Sequence, residues 1–398
     1  MSRNKPIKKK NLFHKKYSPD KLILYFAIFM AIFGAIMIFD SSIYKANAEF
    51  SDPFHFLKLQ VIWIIVGSIP AIIIYFWDYR KLLKTSLPLL VGIIILLTLV
   101  LKFGEEINGA RRWFSIGSLP PIQPAEFAKL IIILYLSSWM ANNKYFQDNT
   151  KVELKGSFLK SLVSFGAIVG VIALLIILGK DLGTTMIIGM TSFAMFFMAK
   201  EGWQHAKFTI GSIFVLFIPL AIIAALLESY RVGRITTYLH LLFAGEVADP
   251  RGDGYQMQQI LIGIGSGGFL GKGFGQSRQR YGYLVENTAF TDSIYAIILE
   301  ELGFLGGTLL IIAWIIFLWR GFKVALNAPD KQGKLLATGI TIWLTLQALF
   351  NMGANVGLIP LTGIPAPLLS YGGSSTIVTL IGIGILLNIS KYSTKENE

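Results

Sequence analysis

The 398-residue chain contains no cysteine. That absence removes disulfides, thiolate metal clusters and a cysteine nucleophile, and it leaves the redox compartment undetermined. Histidine is scarce as well: His14, His55, His205 and His240 are scattered, which excludes a close-spaced metal motif. Charged residues make up 15% of the chain, against roughly 25% in an average soluble domain. With 54% hydrophobic residues, both an ordinary soluble enzyme and a disordered chain are excluded. The sparse charge leans positive, 36 Lys and Arg against 23 Asp and Glu, for a formal net charge of +13. In so apolar a chain the basic excess must sit in loops and tails, and no nucleic-acid partner is expected from it.

Long uncharged runs stand where charge is missing. Leu22 to Phe39 is uncharged and, at 1.5 Å per residue, about long enough to cross the hydrocarbon core with help from its flanks. A removable signal peptide would have a shorter apolar stretch and a small-residue cleavage site, whereas this run follows a lysine-rich tail, so it reads as a retained helix. The same test marks Leu59 to Trp77, Ser86 to Leu101, Glu126 to Ala141, Ser161 to Gly179, Gly183 to Ala199, Phe208 to Leu227 and Ser293 to Trp319. Leu335 to Ser390 carries no charge, is too long for one crossing, and is interrupted around Pro360, Pro365 and Pro367, so it splits into two helices. The expected architecture is an all-α polytopic integral membrane protein with about ten transmembrane helices. Alternating the loops places 23 of the 36 Lys and Arg on the cytoplasmic side together with both termini. The domain reading is a basic cytoplasmic tail over 1–21, a membrane domain over 22–390 that includes one long outer loop, 228–292, and a cytoplasmic tail over 391–398.

That outer loop is the place to look for chemistry, because long loops in compact proteins usually carry function. Tyr255, Met257, Ile260, Leu261 and Ile264 recur at roughly helical spacing, which predicts an in-plane or re-entrant amphipathic helix. Gly263, Gly265 and Gly268 formally match a dinucleotide fingerprint, but no strand precedes them and Gly271, Gly273 and Gly275 continue the run, so close backbone packing is the reading. Glu126, Lys129, Glu300 and Glu301 lie inside apolar segments, where an unpaired charge costs at least ~2.5 kcal/mol. Glu126 and Lys129 are three apart on one helix face and can neutralise each other, a structural pairing that explains them as well as ligand contact does. Glu300 lies about 80° around the helix from Asp292 and Glu301 on the opposite face, so the two glutamates are not expected to serve one cavity. Asp292, after Thr291 at the head of the eighth helix, reads by default as an N-cap.

Arg111, Arg112, Arg231, Arg234 and Arg251 fall outside, against the inside bias. Several guanidinium groups in loops over a membrane cavity suit an amphiphile with a phosphate or pyrophosphate and an apolar tail.

Six strings narrow this further. They are NGARRWFSIGSLPPIQPAEFAKL from Asn108, KDLGTT from Lys180, YRVGRI from Tyr230, DPRGDGYQMQQILIGIGSGGFLGKGFGQS from Asp249, FTDSIYAIILEELGFLGG from Phe290, and NMGANVGLIPLTGIPAPLLSYGGSS from Asn351. In this order they resemble the SEDS family (shape, elongation, division and sporulation) of peptidoglycan polymerases typified by RodA and FtsW, over nearly the whole chain. The GDGYQ wording leans to the FtsW side. Departures are LVENTAFTD before the eighth helix, where the family usually reads LPEAHTD, so that Phe290 replaces a histidine, and Lys180 in place of a proline.

The resemblance implies polymerisation of lipid II into β-1,4-linked glycan strands at the outer face of the bacterial cytoplasmic membrane, with undecaprenyl pyrophosphate leaving. Asp292 matches the family's essential aspartate and would be the catalytic base. The imported pattern brings Arg112, Lys129 and Arg234 to the departing pyrophosphate, with Trp113, Gln123 and Glu126 shaping the site. Ser370 and Gly372, in SYGGSS, would line the cavity or simply form an interhelix turn. A divalent cation, Mg or Mn, could assist, with no clear ligand set and no metal site assigned. The implied partners are lipid II, the growing glycan strand, a class B penicillin-binding transpeptidase and other divisome or elongasome membrane proteins. The rival readings are a transporter (flippase) for the same precursor, which would set its charges near the midplane, and an inactive scaffold, in which Asp292 would be replaceable.

Overall fold

The computed structural model describes residues 18–107, 109–115, 121–147, 154–252, 254–281 and 288–392. Most of the basic tail, the C-terminal tail beyond residue 392, and part of the altered LVENTAFTD string lie outside the described residues.

Helix α1 (Lys21–Phe50) begins where the Asp20 carboxylate accepts the Ile23 N–H, a side-chain N-cap. It is followed by α2 (His55–Phe76), the short α3 (Tyr79–Lys84) and α4 (Ser86–Phe103). A small antiparallel hairpin, β1 (Glu105–Ile107) and β2 (Ala110–Trp113), precedes α5 (Pro124–Asn142), α6 (Leu154–Leu178) and α7 (Leu182–Met198). Then α8 (Trp203–Ser212) runs through a π-helical turn, Ile213–Phe217, into α9 (Ile218–Leu226). The outer segment forms α10 (Ser229–Ala244) and α11 (Tyr255–Gly267), and the bundle closes with α12 (Ile294–Leu326), α13 (Lys331–Asn355) and α14 (Gly373–Ser390).

Among the described residues nine helices are long and apolar enough to cross a membrane, with α8 and α9 counted as one. The apolar α7, one residue shorter than the shortest of them, occupies the remaining predicted crossing, Gly183 to Ala199, and brings the number to ten. Polar contacts gather helix ends at one pole. Asp20 binds Ser390 through its N–H (3.1 Å) and Arg320 through its carboxylate (Nε 3.0 Å), while the Tyr79 hydroxyl donates to Asp330 (2.7 Å). The hairpin, α10, α11 and the link between α13 and α14 lie at the other pole.

The predicted amphipathic helix is α11; α10 joins it, its apolar positions not having been singled out from sequence. Beyond α11 the glycine run makes an unusual junction. α12 breaks at Gly303 (φ 68°, ψ −171°), and the carbonyls of Glu300 and Glu301 accept instead from the N–H groups of Lys272 and Gly273, each at 3.0 Å. In return the Phe304 and Leu305 N–H groups donate to Gly268 O (2.9 Å) and Phe269 O (3.1 Å). Four backbone groups freed by the break are thereby paired, as irregular backbone in a membrane bundle requires. A Cβ at Gly303 would lie 2.3 Å from the Gly271 nitrogen, so the exchange requires glycine at 303.

This junction supplies the partners of Glu300 and Glu301. Both carboxylates are buried and both hold the same segment: Glu300 accepts from Lys272 Nζ (2.7 Å), Ser277 Oγ (2.6 Å) and the Arg278 N–H (3.2 Å), and Glu301 from the Ser277 N–H (3.0 Å). The segment wraps around α12 at its break and so meets both glutamates, a contact that helical angle alone does not reveal.

Candidate functional site

Asp292 sits at the outer pole, two residues before α12. The N–H groups of Thr291 (3.2 Å) and Ser293 (2.8 Å) both donate to Thr288 O, which folds the approach into a tight turn. The N-cap reading is not realised: no side chain caps α12, and the Asp292 carboxylate instead accepts from Thr291 Oγ1 (3.0 Å). Its backbone carbonyl accepts two side-chain amides from one face of α13, Asn351 Nδ2 and Asn355 Nδ2, each at 2.8 Å. Ser370 Oγ donates to Thr291 O and accepts the Ala366 N–H, so this predicted residue fastens the aspartate's turn to the α13–α14 link. Phe290 is buried against Phe56, ring centroids 4.6 Å apart, and its carbonyl accepts the Tyr371 N–H (2.8 Å).

Across from Asp292 stands Arg234 of α10, anchored by Nη1 to Leu361 O at 3.0 Å. Between them lies Gly363, at φ 69° and exposed; a Cβ built there would be 3.9 Å from both Asp292 Oδ2 and Arg234 Nη1. A carboxylate and a guanidinium thus face one open gap. Desolvation pushes the Asp292 carboxyl above the ordinary aspartate range, opposed by the Thr291 hydroxyl and then by the charge of Arg234. Beside Arg234 opens a small notch, about 20 Å³ in cavity volume, with a largely apolar lining that includes Leu241, Met257, Ile359 and Leu361.

The other predicted residues form two groups. Arg112 donates through Nε to Gly179 O (2.9 Å) and through Nη2 to Lys180 O, while its guanidinium lies 5.7 Å from the Trp113 ring. Gln123 donates to Asp181 (2.9 Å), and its N–H binds Ser374 Oγ (3.0 Å). Lys180 takes φ 65°, a value closed to a proline ring. Glu126 and Lys129 are sealed inside the bundle at 3% and 2% exposure. Lys129 Nζ donates to Glu126 Oε1 (2.9 Å) and Gln347 Oε1 (2.7 Å), so the predicted pairing is present and neither group faces the gap. Gly372 is extended and immediately precedes α14.

Sequence reasoning missed Gln347, Asn351, Asn355 and Gly363. The first three were detectable, because they recur every four residues on one face of an uncharged helix and are 0%, 2% and 1% exposed. Polar groups repeated on one face of a membrane helix point into the bundle and call for partners. Among the described residues no three His, Cys, Asp or Glu side chains gather to hold a metal ion.

Comparison with known proteins bears on this arrangement. The FtsW/RodA/SpoVE family model, described as "Cell cycle protein", matches residues 20–395. The chain belongs to this family. It is 39% identical to "Stage V sporulation protein E" of Bacillus subtilis over 95% of this chain and 99% of that protein. It is 36% identical to "Probable peptidoglycan glycosyltransferase FtsW" of Legionella pneumophila, over 93% of this chain and 90% of the relative. Among solved structures, the rod shape determining protein RodA of Thermus thermophilus aligns with a TM-score of 0.67 at 25% identity, covering 95% of this chain and 98% of that one. A chain from a study of the "structural coordination of polymerization and crosslinking by a peptidoglycan synthase complex" aligns with a TM-score of 0.72 at 27% identity, covering 94% and 97%. The family's polytopic membrane fold is therefore also this chain's fold.

Proposed function

We propose that this family member is a peptidoglycan glycosyltransferase that polymerises lipid II into β-1,4-linked glycan strands at the outer face of the cytoplasmic membrane, in cell division or cell shape. The observation that carries the reading is the gap at Gly363, with Asp292 on one side and Arg234 on the other, opening beside a small apolar notch. In the reaction the acceptor sugar 4-hydroxyl loses its proton to Asp292 as its oxygen attacks the donor anomeric carbon. The bond from that carbon to the pyrophosphate oxygen breaks, and undecaprenyl pyrophosphate leaves with its electron pair and negative charge, which Arg234 stabilises. An α-linked donor giving a β-linkage is one inversion, so one carboxylate suffices and no glycosyl-enzyme forms. Desolvation favours the base role, because a raised pKa makes the carboxylate a better proton acceptor than a solvated aspartate.

Arg112, Trp113 and Gln123 serve as a second wall on the donor side, and Glu126 with Lys129 braces the bundle beneath. A flippase would need its charges accessible from both faces, and the sealed Glu126–Lys129 pair does not offer that. The likeness to a chain from a peptidoglycan synthase complex supports a class B transpeptidase partner that cross-links the emerging strand, together with other division or elongation membrane proteins, with both termini on the cytoplasmic side. The domain reading, a basic tail over 1–21 ahead of a membrane domain over 22–390 with the outer loop at 228–292, fits the same picture.

The test is Asp292→Asn, which keeps size and the backbone bonds of the turn. Purified variant incubated with labelled lipid II, with and without a transpeptidase, should fold normally and make no polymer, since an amide does not take the proton at neutral pH. Near-normal polymer would end the base assignment.

A further inference from the structure

The assignment of Asp292 as base leaves open what fixes its geometry relative to Arg234. A single amide answers both sides. Asn351 Nδ2 lies 2.8 Å from Asp292 O and 2.8 Å from Ile364 O, so its two protons serve two carbonyls on different strands of chain. The first belongs to the base. The second follows Gly363, in the segment whose Leu361 O anchors Arg234 Nη1 at 3.0 Å. We propose that Asn351 is a positioning residue for the glycosyl transfer, setting the separation between the Asp292 carboxylate and the Arg234 guanidinium; the inference rests on the base reading above.

Three features support it. Asp292 O lies before the first turn of α12 and takes no helical bond among those at that terminus, so side-chain amides fix its peptide plane and with it the direction of the carboxylate. Asn355, one turn on, donates to Asp292 O at 2.8 Å but otherwise only to Asn351 O, so it supports the base without reaching the arginine's segment. Both amides are within a few percent of complete burial, in a helix without formal charge from Leu335 onward; the Nδ2 group of each donates both its protons to backbone carbonyls, while the Oδ1 of each is buried without a partner among the described residues. The ionisable groups joined to this clamp by hydrogen-bonded segments are Asp292 and Arg234, with Lys129 and Glu126 linked through Gln347 one turn earlier on α13.

The experiment uses full-length enzyme in detergent or nanodiscs with labelled lipid II, and it reads the single-turnover rate constant with enzyme in saturating excess. That constant does not depend on the fraction of enzyme folded, so it separates positioning from mere stability. Asn351→Leu keeps volume and removes the donor; a base displaced by about 1 Å predicts a rate constant down roughly 10²-fold. Asn355→Leu leaves Asn351 in place and should lose less than about tenfold on the same geometric scale. Asn351→Gln restores an amide and should recover part of the loss. Thr345→Ala, elsewhere on α13, should leave the constant unchanged. A rate constant for Asn351→Leu within threefold of the parent, with Asp292→Asn inactive, would overturn the positioning role while leaving the base standing. Full activity in Asp292→Asn would overturn the base reading itself, and this inference with it.

Discussion

Gly363→Ala tests the gap directly. The native φ of 69° is a left-handed conformation, which costs an L-residue roughly 1–2 kcal/mol. Sterically the new methyl fits the empty enzyme, because its nearest neighbours, Asp292 Oδ2 and Arg234 Nη1, are at 3.9 Å, ordinary van der Waals contact. The folded protein should therefore survive with only a modest loss of thermal stability. Catalysis should not survive equally well. Reacting atoms must come within about 3–3.5 Å of the base, and a methyl in contact with both groups occupies the space through which they pass. Polymerisation from labelled lipid II should drop by about 10²-fold in kcat/KM, the scale of a misplacement of about 1 Å. The control is Gly245→Ala, at φ 74° with nothing within 4 Å of its built Cβ, which carries the same backbone cost without intruding on the gap. Should Gly363→Ala polymerise as well as Gly245→Ala, substrate does not pass between Asp292 and Arg234 and the site lies elsewhere.

Three further outcomes are expected. Because desolvation raises the Asp292 pKa and Arg234 opposes that rise, the acid limb of kcat/KM should lie above the ordinary aspartate range, activity being lost as pH falls through the raised value; Arg234→Gln should move the limb to still higher pH, and a downward move would refute the coupling. Lys129→Met strands the buried Glu126 carboxylate and should cost about 3–5 kcal/mol of stability, seen as lost folded protein in detergent, whereas Lys129→Met combined with Glu126→Gln should recover it; a well-folded, inactive double variant would instead give Lys129 a direct part in the chemistry. Single cysteines introduced at 112 and 323 should label with an impermeant thiol reagent in intact cells at 112 only, and the reverse pattern would invert the orientation.

The crossings were legible because hydropathy alone encodes them: each predicted run has its helix, with α7 the shortest. The Glu126–Lys129 pair was legible for a similar reason, as i,i+3 spacing fixes a shared helix face whatever the tertiary structure. What could not be read depends on long-range backbone geometry. The exchange at Gly303 couples residues some thirty positions apart through carbonyls and N–H groups, which leave no side-chain period, so the shared partners of Glu300 and Glu301 were not foreseen. Asp292 and Arg234 were each identified, but their opposition across Gly363 joins α10, the head of α12 and the α13–α14 link, three segments whose juxtaposition no local pattern records.

The α13–α14 link, which sequence treats as either cavity wall or turn, is where these segments meet. Its Leu361 carbonyl holds Arg234, Ile364 O holds Asn351, and Pro365 O holds Gln347 Nε2 (2.9 Å), whose own oxygen binds Lys129. Ser370 Oγ ties Thr291, the Tyr371 N–H ties Phe290, and Ser374 Oγ at the start of α14 ties Gln123. Non-helical backbone within a membrane bundle is tolerated only when its polar groups are paired. Here the groups that pair them are the polar stripe of α13 and the candidate site residues themselves. The bonds that make the link tolerable are thus the bonds that align the base with the guanidinium, so substitutions in Gln347, Asn351 or Asn355 must disturb stability and geometry together. Only a rate constant measured on the folded, substrate-bound fraction can tell the two effects apart.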